Sequence, residues 1–138
     1  MTLIDTHAHL YWDSFKEDFD DVIKRSLDAG VSTIVNVGVD AEKSQESLDQ
    51  VRNTQWPKGL SVYSTIGIHP HEANKYYLDP DVFIQKDMGR LEQIYLSDTT
   101  KVIGVGECGL DFYFDNNPDY NPSHFSQEKQ KELQKKLL

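Results

Sequence analysis

Short apolar, strand-like runs alternate with helical patterns along the whole chain, and this alternation constrains the fold more than any other feature. TLIDT (2–6) is a strand that runs into His7. Ser14 and Glu17 have the spacing of a capping box, which predicts a helix with Phe15, Phe19, Val22, Ile23 and Leu27 on one face and Gly30 past its end. VSTIVNVG (31–38) is β-branched and predicts a buried strand. Residues 40–53 predict a polar helix anchored by Ala41, Leu48 and Val51, and LSVYSTIGI (60–68) a third strand after Pro57 and Gly59. Asp79-Pro80 reads as an N-cap and first helical position, with Val82, Phe83, Ile84, Met88, Leu91, Ile94 and Tyr95 as the apolar face. KVIGVGE (101–107) is a fourth strand, and Ser126 caps a last, highly charged and solvated helix.

Strands therefore start about every 30 to 40 residues, the period of a βα unit. Such alternation gives a parallel sheet covered by helices. A doubly wound open sheet and an arc of a (β/α)8 barrel both satisfy it. At 138 residues one domain is expected, and 38% hydrophobic residues suffice for a core. No apolar run approaches the roughly 20 residues of a membrane span, and no basic, apolar leader is visible, so no membrane role is expected. The single Cys108 excludes an internal disulfide framework and a multi-cysteine zinc site, and a cytoplasmic setting is expected. The net charge of −9 provides no basic field for a polyanion, which would have to be held by metal ions.

The chemistry-bearing residues gather at strand ends. His7 and His9 follow the first strand, Asn36 and Gly38 close the second, His69 and His71 follow the third and Glu107 ends the fourth. Both candidate architectures place active sites at the C-terminal ends of their strands. On a strand, residues two apart face the same side, so His7 and His9 can present two imidazoles to one ion. Asp5 shares their parity and is expected to orient an imidazole. Glu107 closes an apolar strand, where a carboxylate needs a compensating charge, and it can bridge two metal ions. An isolated H-x-H pair is more often two satisfied polar residues, but the shared location favours a metal site.

Other features weigh less. Gly104, Gly106 and Gly109 fit the dinucleotide fingerprint, but LDFYFDNNPDYNP follows where a helix is required, so that reading is rejected. His69 and His71 suit substrate contact or proton shuttling about as well as ordinary loop positions. Tyr11, Trp12 and Phe112-Tyr113-Phe114 flank the site and are expected to plug the top of the core, the other option being base stacking. Cys108 is expected to be small and buried, and His124 solvated.

DTHAHL near the N-terminus, GIHPHE after the third strand and VGECGLDFY after the fourth resemble, in order and spacing, the TatD family of metal-dependent deoxyribonucleases. The resemblance spans the chain and implies a (β/α)8 TIM barrel of which residues 1–138 form the first four βα units. It implies a two-metal site of divalent ions (Mg2+, Mn2+ or Zn2+) and phosphodiester hydrolysis on DNA. Carried over by position, His7, His9 and Glu107 are metal ligands. Glu107, His69 and His71 are catalytic, and His69, His71 and Asp111 contact substrate. The family's further ligands, two histidines and an aspartate on later strands, have no counterparts here. Two alternatives stand beside this reading: a small-molecule or aminoacyl-ester hydrolase using the same metal site, and a non-catalytic half-barrel that forms a homodimer through exposed sheet edges.

Overall fold

A computed structural model describes residues 2–111 and 125–138. Four strands, β1 (Leu3–Ala8), β2 (Val31–Val37), β3 (Ser61–Ile66) and β4 (Val102–Val105), form one sheet in the order β1-β2-β3-β4. Every neighbouring pair is parallel. The helices α1 (Phe19–Asp28), α2 (Ala41–Asn53) and α3 (Pro80–Ser97) connect them, and α4 (Gln127–Lys136) follows β4. Parallel crossovers are right-handed, so strands added always in the same direction keep their helices on one face. A doubly wound sheet must reverse direction, and this one does not. The single-direction order is that of a barrel, and four parallel strands make half of one.

Two apolar clusters lie between sheet and helices. One joins Ile23 of α1 and Val51 of α2 to Ile34 and Val62, with Phe19, Leu27 and Trp56 packed against it. The other joins Leu48, Leu91 and Ile94 to Ile66 and Val102, and includes Leu133 and Leu137 from the chain's end. Full burial of one such side chain contributes about 1.5–3 kcal/mol. Ser44 and Ser47 on α2 are also fully buried, where Ser47 Oγ donates to the Asn36 carbonyl at 2.8 Å.

The helices and Cys108 differ from expectation in several places. The Ser14–Glu17 capping box does not form. Backbone bonds Trp12 N–H to His9 O, Phe15 N–H to Trp12 O and Lys16 N–H to Asp13 O wind residues 12–16 into tight turns, and α1 starts later, at Phe19. On α3 the buried stripe is Leu91 and Ile94 with Ile84 alongside, while Val82, Met88 and Tyr95 face solvent. The charged terminal helix is half core: Gln130, Leu133, Gln134 and Leu137 are buried and the charges line the other side. Cys108 is exposed rather than buried. The Phe112–Phe114 run and His124 lie outside the described residues.

Among the described residues no helix is long and apolar enough to cross a membrane.

Candidate metal centre

Strand register decides what the β1 terminus presents. Asp5 pairs with Ile34 and Ala8 with Asn36, so β1 spends three steps where β2 spends two. This extra residue breaks the alternation between Asp5 and the histidines. Ala8 packs toward the helix-side core, and His7 and His9 flank it on the other side. Asp5 therefore does not orient an imidazole; its Oδ1 accepts the His7 backbone N–H at 3.0 Å.

His7 Nε2 and His9 Nε2 lie 3.3 Å apart, and each is 3.3 Å from Glu107 Oε1. Ligands at about 2.0–2.1 Å from a tetrahedral ion stand about 3.3–3.4 Å apart, so this near-equilateral triangle has the edge of one coordination face. The donor set, two imidazoles and a carboxylate, suits a divalent transition ion and leaves a position open. Glu107 also reaches His69, with Oε2 3.5 Å from Nε2.

Two of the three corners, His9 and Glu107, are held from behind. His9 Nδ1 lies 2.8 Å from the Val37 carbonyl, which can only accept, so the proton sits on Nδ1 and Nε2 keeps its lone pair for a metal. Tyr11 donates to the same carbonyl at 2.8 Å, and burial pushes its phenol up, so it stays protonated. Beyond His9 the chain is clamped. Leu10 N–H donates to Asn36 Oδ1 at 2.8 Å, and Gln50 Nε2 donates to Leu10 O at 3.0 Å. Asn36 Nδ2 closes the loop on Gln50 Oε1 at 3.0 Å.

Glu107 lies just past β4 rather than in it. Gly106 N–H donates to Ile66 O at 2.8 Å, Glu107 N–H to Gly38 O at 3.0 Å, and Thr65 Oγ1 to Gly106 O at 2.7 Å. Two glycines permit these approaches: a Cβ on Gly38 would stand 2.7 Å from Ser44 Cα, and one on Gly67 would meet Glu107 backbone.

His69 Nδ1 accepts the His71 N–H at 3.1 Å, which puts the proton of a neutral His69 on Nε2, facing Glu107. Burial holds the His69 pKa below the ordinary value against the opposing pull of Glu107, so the ring is neutral at pH 7. His71 Nε2 pairs with Asp111 Oδ2 at 2.7 Å, and Asp111 N–H is in turn held by the buried Gln134 Oε1 at 3.1 Å. All six residues singled out in the sequence thus gather at one end of the sheet. Asn36 as a clamp, Gln50 and Gln134 were missed, because their partners are distant in sequence.

Trp12 does not plug the core. Its indole stacks on the His9 ring with centroids 4.2 Å apart and planes within 4°. With His9, Val39, His69, His71, Glu72 and Glu107 it lines a cavity of about 200 Å3.

Comparison with known proteins identifies the chain's relatives. The chain is 33% identical over 110 residues to the 3'-5' ssDNA/RNA exonuclease TatD of Erwinia tasmaniensis, covering 80% of this chain and 38% of that protein. It is 31% identical over 116 residues to the uncharacterized metal-dependent hydrolase YabD of Bacillus subtilis, covering 84% and 40% respectively. The crystal structure of YJJV, a TatD homolog from Escherichia coli K12, superposes with a TM-score of 0.64 at 30% identity, over 98% of this chain and 46% of that one. A TatD family hydrolase from Entamoeba histolytica, at 21% identity and TM-score 0.68, shares the fold over 99% of this chain and 46% of its own. The chain thus spans less than half the length of these relatives. The model of the family described as TatD related DNase matches residues 4–138, and the chain belongs to that family.

Proposed function

We propose that these residues form the N-terminal half of a metal-dependent phosphodiesterase acting on single-stranded nucleic acid, DNA first. The observation that carries this reading is the 3.3 Å triangle of His7 Nε2, His9 Nε2 and Glu107 Oε1. His7, His9 and Glu107 would hold a divalent ion, Mg2+, Mn2+ or Zn2+, with Glu107 able to bridge to a second. Such an ion supplies Lewis acidity toward a phosphoryl oxygen and lowers the pKa of water. His69 turns its Nε2–H toward the cavity, where the neutral ring can give a hydrogen bond to a phosphate oxygen. His71 and Asp111 fix each other and position His69 through the His71 backbone N–H. The exposed, single Cys108 suits a reducing cytoplasm.

The test is nucleotide release from single-stranded DNA in Mg2+ or Mn2+ against EDTA, with the chain alone and with a version extended to the length of its relatives. Hydrolysis that ignores EDTA, or none by the extended version, would refute the reading.

A second reading, self-association, draws on the outer edge of β4, which pairs with no further strand among the described residues. There Ile103 and Val105 are exposed and, with Tyr95 and Val102, line a cavity of about 590 Å3. An exposed parallel edge invites a further strand. Light scattering that gives a dimer mass for the isolated chain supports it, and a monomer mass at high concentration removes it.

A further inference from the structure

We propose that Trp12 is a nucleobase platform: a planar surface beside the metal-ligand cluster on which one base of the substrate stacks. The inference deepens the nucleic-acid reading above and rests on it.

The argument begins with what the cavity lacks. Its lining is three ring residues of histidine, Trp12, Val39, and the carboxylates Glu72 and Glu107, with no lysine or arginine. Lys75, the partner of the lining residue Glu72, is also engaged by Asp40. The chain as a whole carries a net charge of −9. Among the described residues lining this cavity no cation is placed to grip a polyanion's backbone, and an uncharged contact can hold the rest of the nucleotide. Base stacking on an aromatic ring is such a contact, and it tolerates any sequence because every base has a π-face.

Trp12 has the required placement. One face of the indole lies on His9, the imidazole whose Nε2 is 3.3 Å from Glu107 Oε1. Tyr11 meets it only edge-on at 6.5 Å, and among the described residues no ring stacks on its second face. The residue is 45% exposed although its neighbour Leu10 is in the core. Burial would have been the ordinary fate of a tryptophan that served packing alone. The turn that holds it is hydrogen-bonded on both sides: Trp12 N–H donates to His9 O at 3.0 Å and its carbonyl accepts from Phe15 N–H at 3.0 Å. A platform one ring thickness from a metal ligand places a base next to the phosphate that the cluster would hold.

The experiment uses fluorescence, because the chain has two tryptophans and Trp56→Phe leaves Trp12 as the single indole. Emission is titrated in Mg2+ with a short phosphorothioate oligodeoxythymidylate and with an abasic oligomer of the same length and linkage, neither of which is readily cleaved. Affinities are measured in parallel by calorimetry, which also serves Trp12→Ala and Trp12→Phe in the parent chain. The expected result is quenching by the base-bearing oligomer and about tenfold tighter binding than the abasic one. Trp12→Ala should reduce that ratio to about one while keeping Mg2+-dependent binding of the abasic oligomer, and Trp12→Phe should retain most of it. Equal affinity of the parent for both oligomers, or a preference that survives Trp12→Ala, overturns the platform alone. Failure of both the parent and a version extended to the length of its relatives to bind either oligomer overturns the platform and the nucleic-acid reading together.

Discussion

A Cβ built on Gly67 would stand 2.4 Å from the carbonyl oxygen of Glu107, a separation that real side chains do not adopt. The obstacle is backbone, including Gly106 C at 2.7 Å, so no side chain can swing aside to relieve it. Gly67→Ala should therefore push the Glu107 segment off the end of β3. The expected outcome is a loss of stability of about 1–3 kcal/mol, the usual cost of overpacking, together with at least tenfold weaker zinc binding. Gly104→Ala is the contrast, because its Cβ would meet Thr65 Cγ2 at an ordinary 3.6 Å. Calorimetric zinc titration and urea unfolding of both variants check the pair. Full zinc affinity in Gly67→Ala would show that the Glu107 position does not depend on this close approach.

The triangle itself can be tested one corner at a time. The His7 side chain is 53% exposed, so its removal should change folding stability by about 0.5 kcal/mol or less. Zinc binding, in contrast, should be lost in His7→Ala, since two donors are too few for a site of this kind. Glu107→Gln keeps the shape and removes the charge, and it should weaken binding strongly without unfolding the chain. Unchanged zinc affinity in His7→Ala would mean that the two imidazoles do not act together.

The histidine pairs and Glu107 were legible because strand periodicity and position at strand ends are local properties of a sequence. The order β1-β2-β3-β4 was only half legible: alternation implies a parallel sheet but not the direction in which strands are added. The role of Asp5 was misread because one extra residue in β1 reverses parity, and nothing in the sequence marks that shift. The late start of α1 arose from turn bonds that outcompete a well-spaced capping box. Gln134 and Asp111 touch across 23 positions and Asn36 and Leu10 across 26, and such pairings exist only once the sheet has formed.

Asn36 is such a case. It is fully buried and supports the loop after His9 from both ends, by accepting from Leu10 N–H and by donating to Gln50. Asn36→Leu would leave a buried backbone donor and a glutamine oxygen without their partner. Each unsatisfied group costs about 1–3 kcal/mol, so the urea midpoint should fall substantially. Zinc affinity should fall as well, because Leu10 is one residue from His9. A variant as stable as the parent would mean that the loop is held by packing of Leu10 alone.

Acid sensitivity should trace in part to Asp98, at the turn between α3 and β4. Its Oδ1 accepts from the Thr100 hydroxyl at 2.7 Å and from the Thr100 and Lys101 N–H groups at 3.1 Å, and Oδ2 accepts from Arg52 Nε at 3.1 Å. These bonds, the Thr100 hydroxyl foremost, hold its pKa down at about 2. A carboxyl whose folded pKa is depressed binds protons more weakly when folded, so acid favours unfolding. Its contribution is fully present above the ordinary aspartate value of about 4 and is lost as pH falls through about 2. Asp98→Asn should therefore be less stable than the parent near pH 5 or above, and the gap should narrow steadily as pH falls below about 4. Urea unfolding at stepped pH measures the gap directly. A difference that stays constant across that range would show that the asparagine costs stability through lost geometry, not through the charge of Asp98.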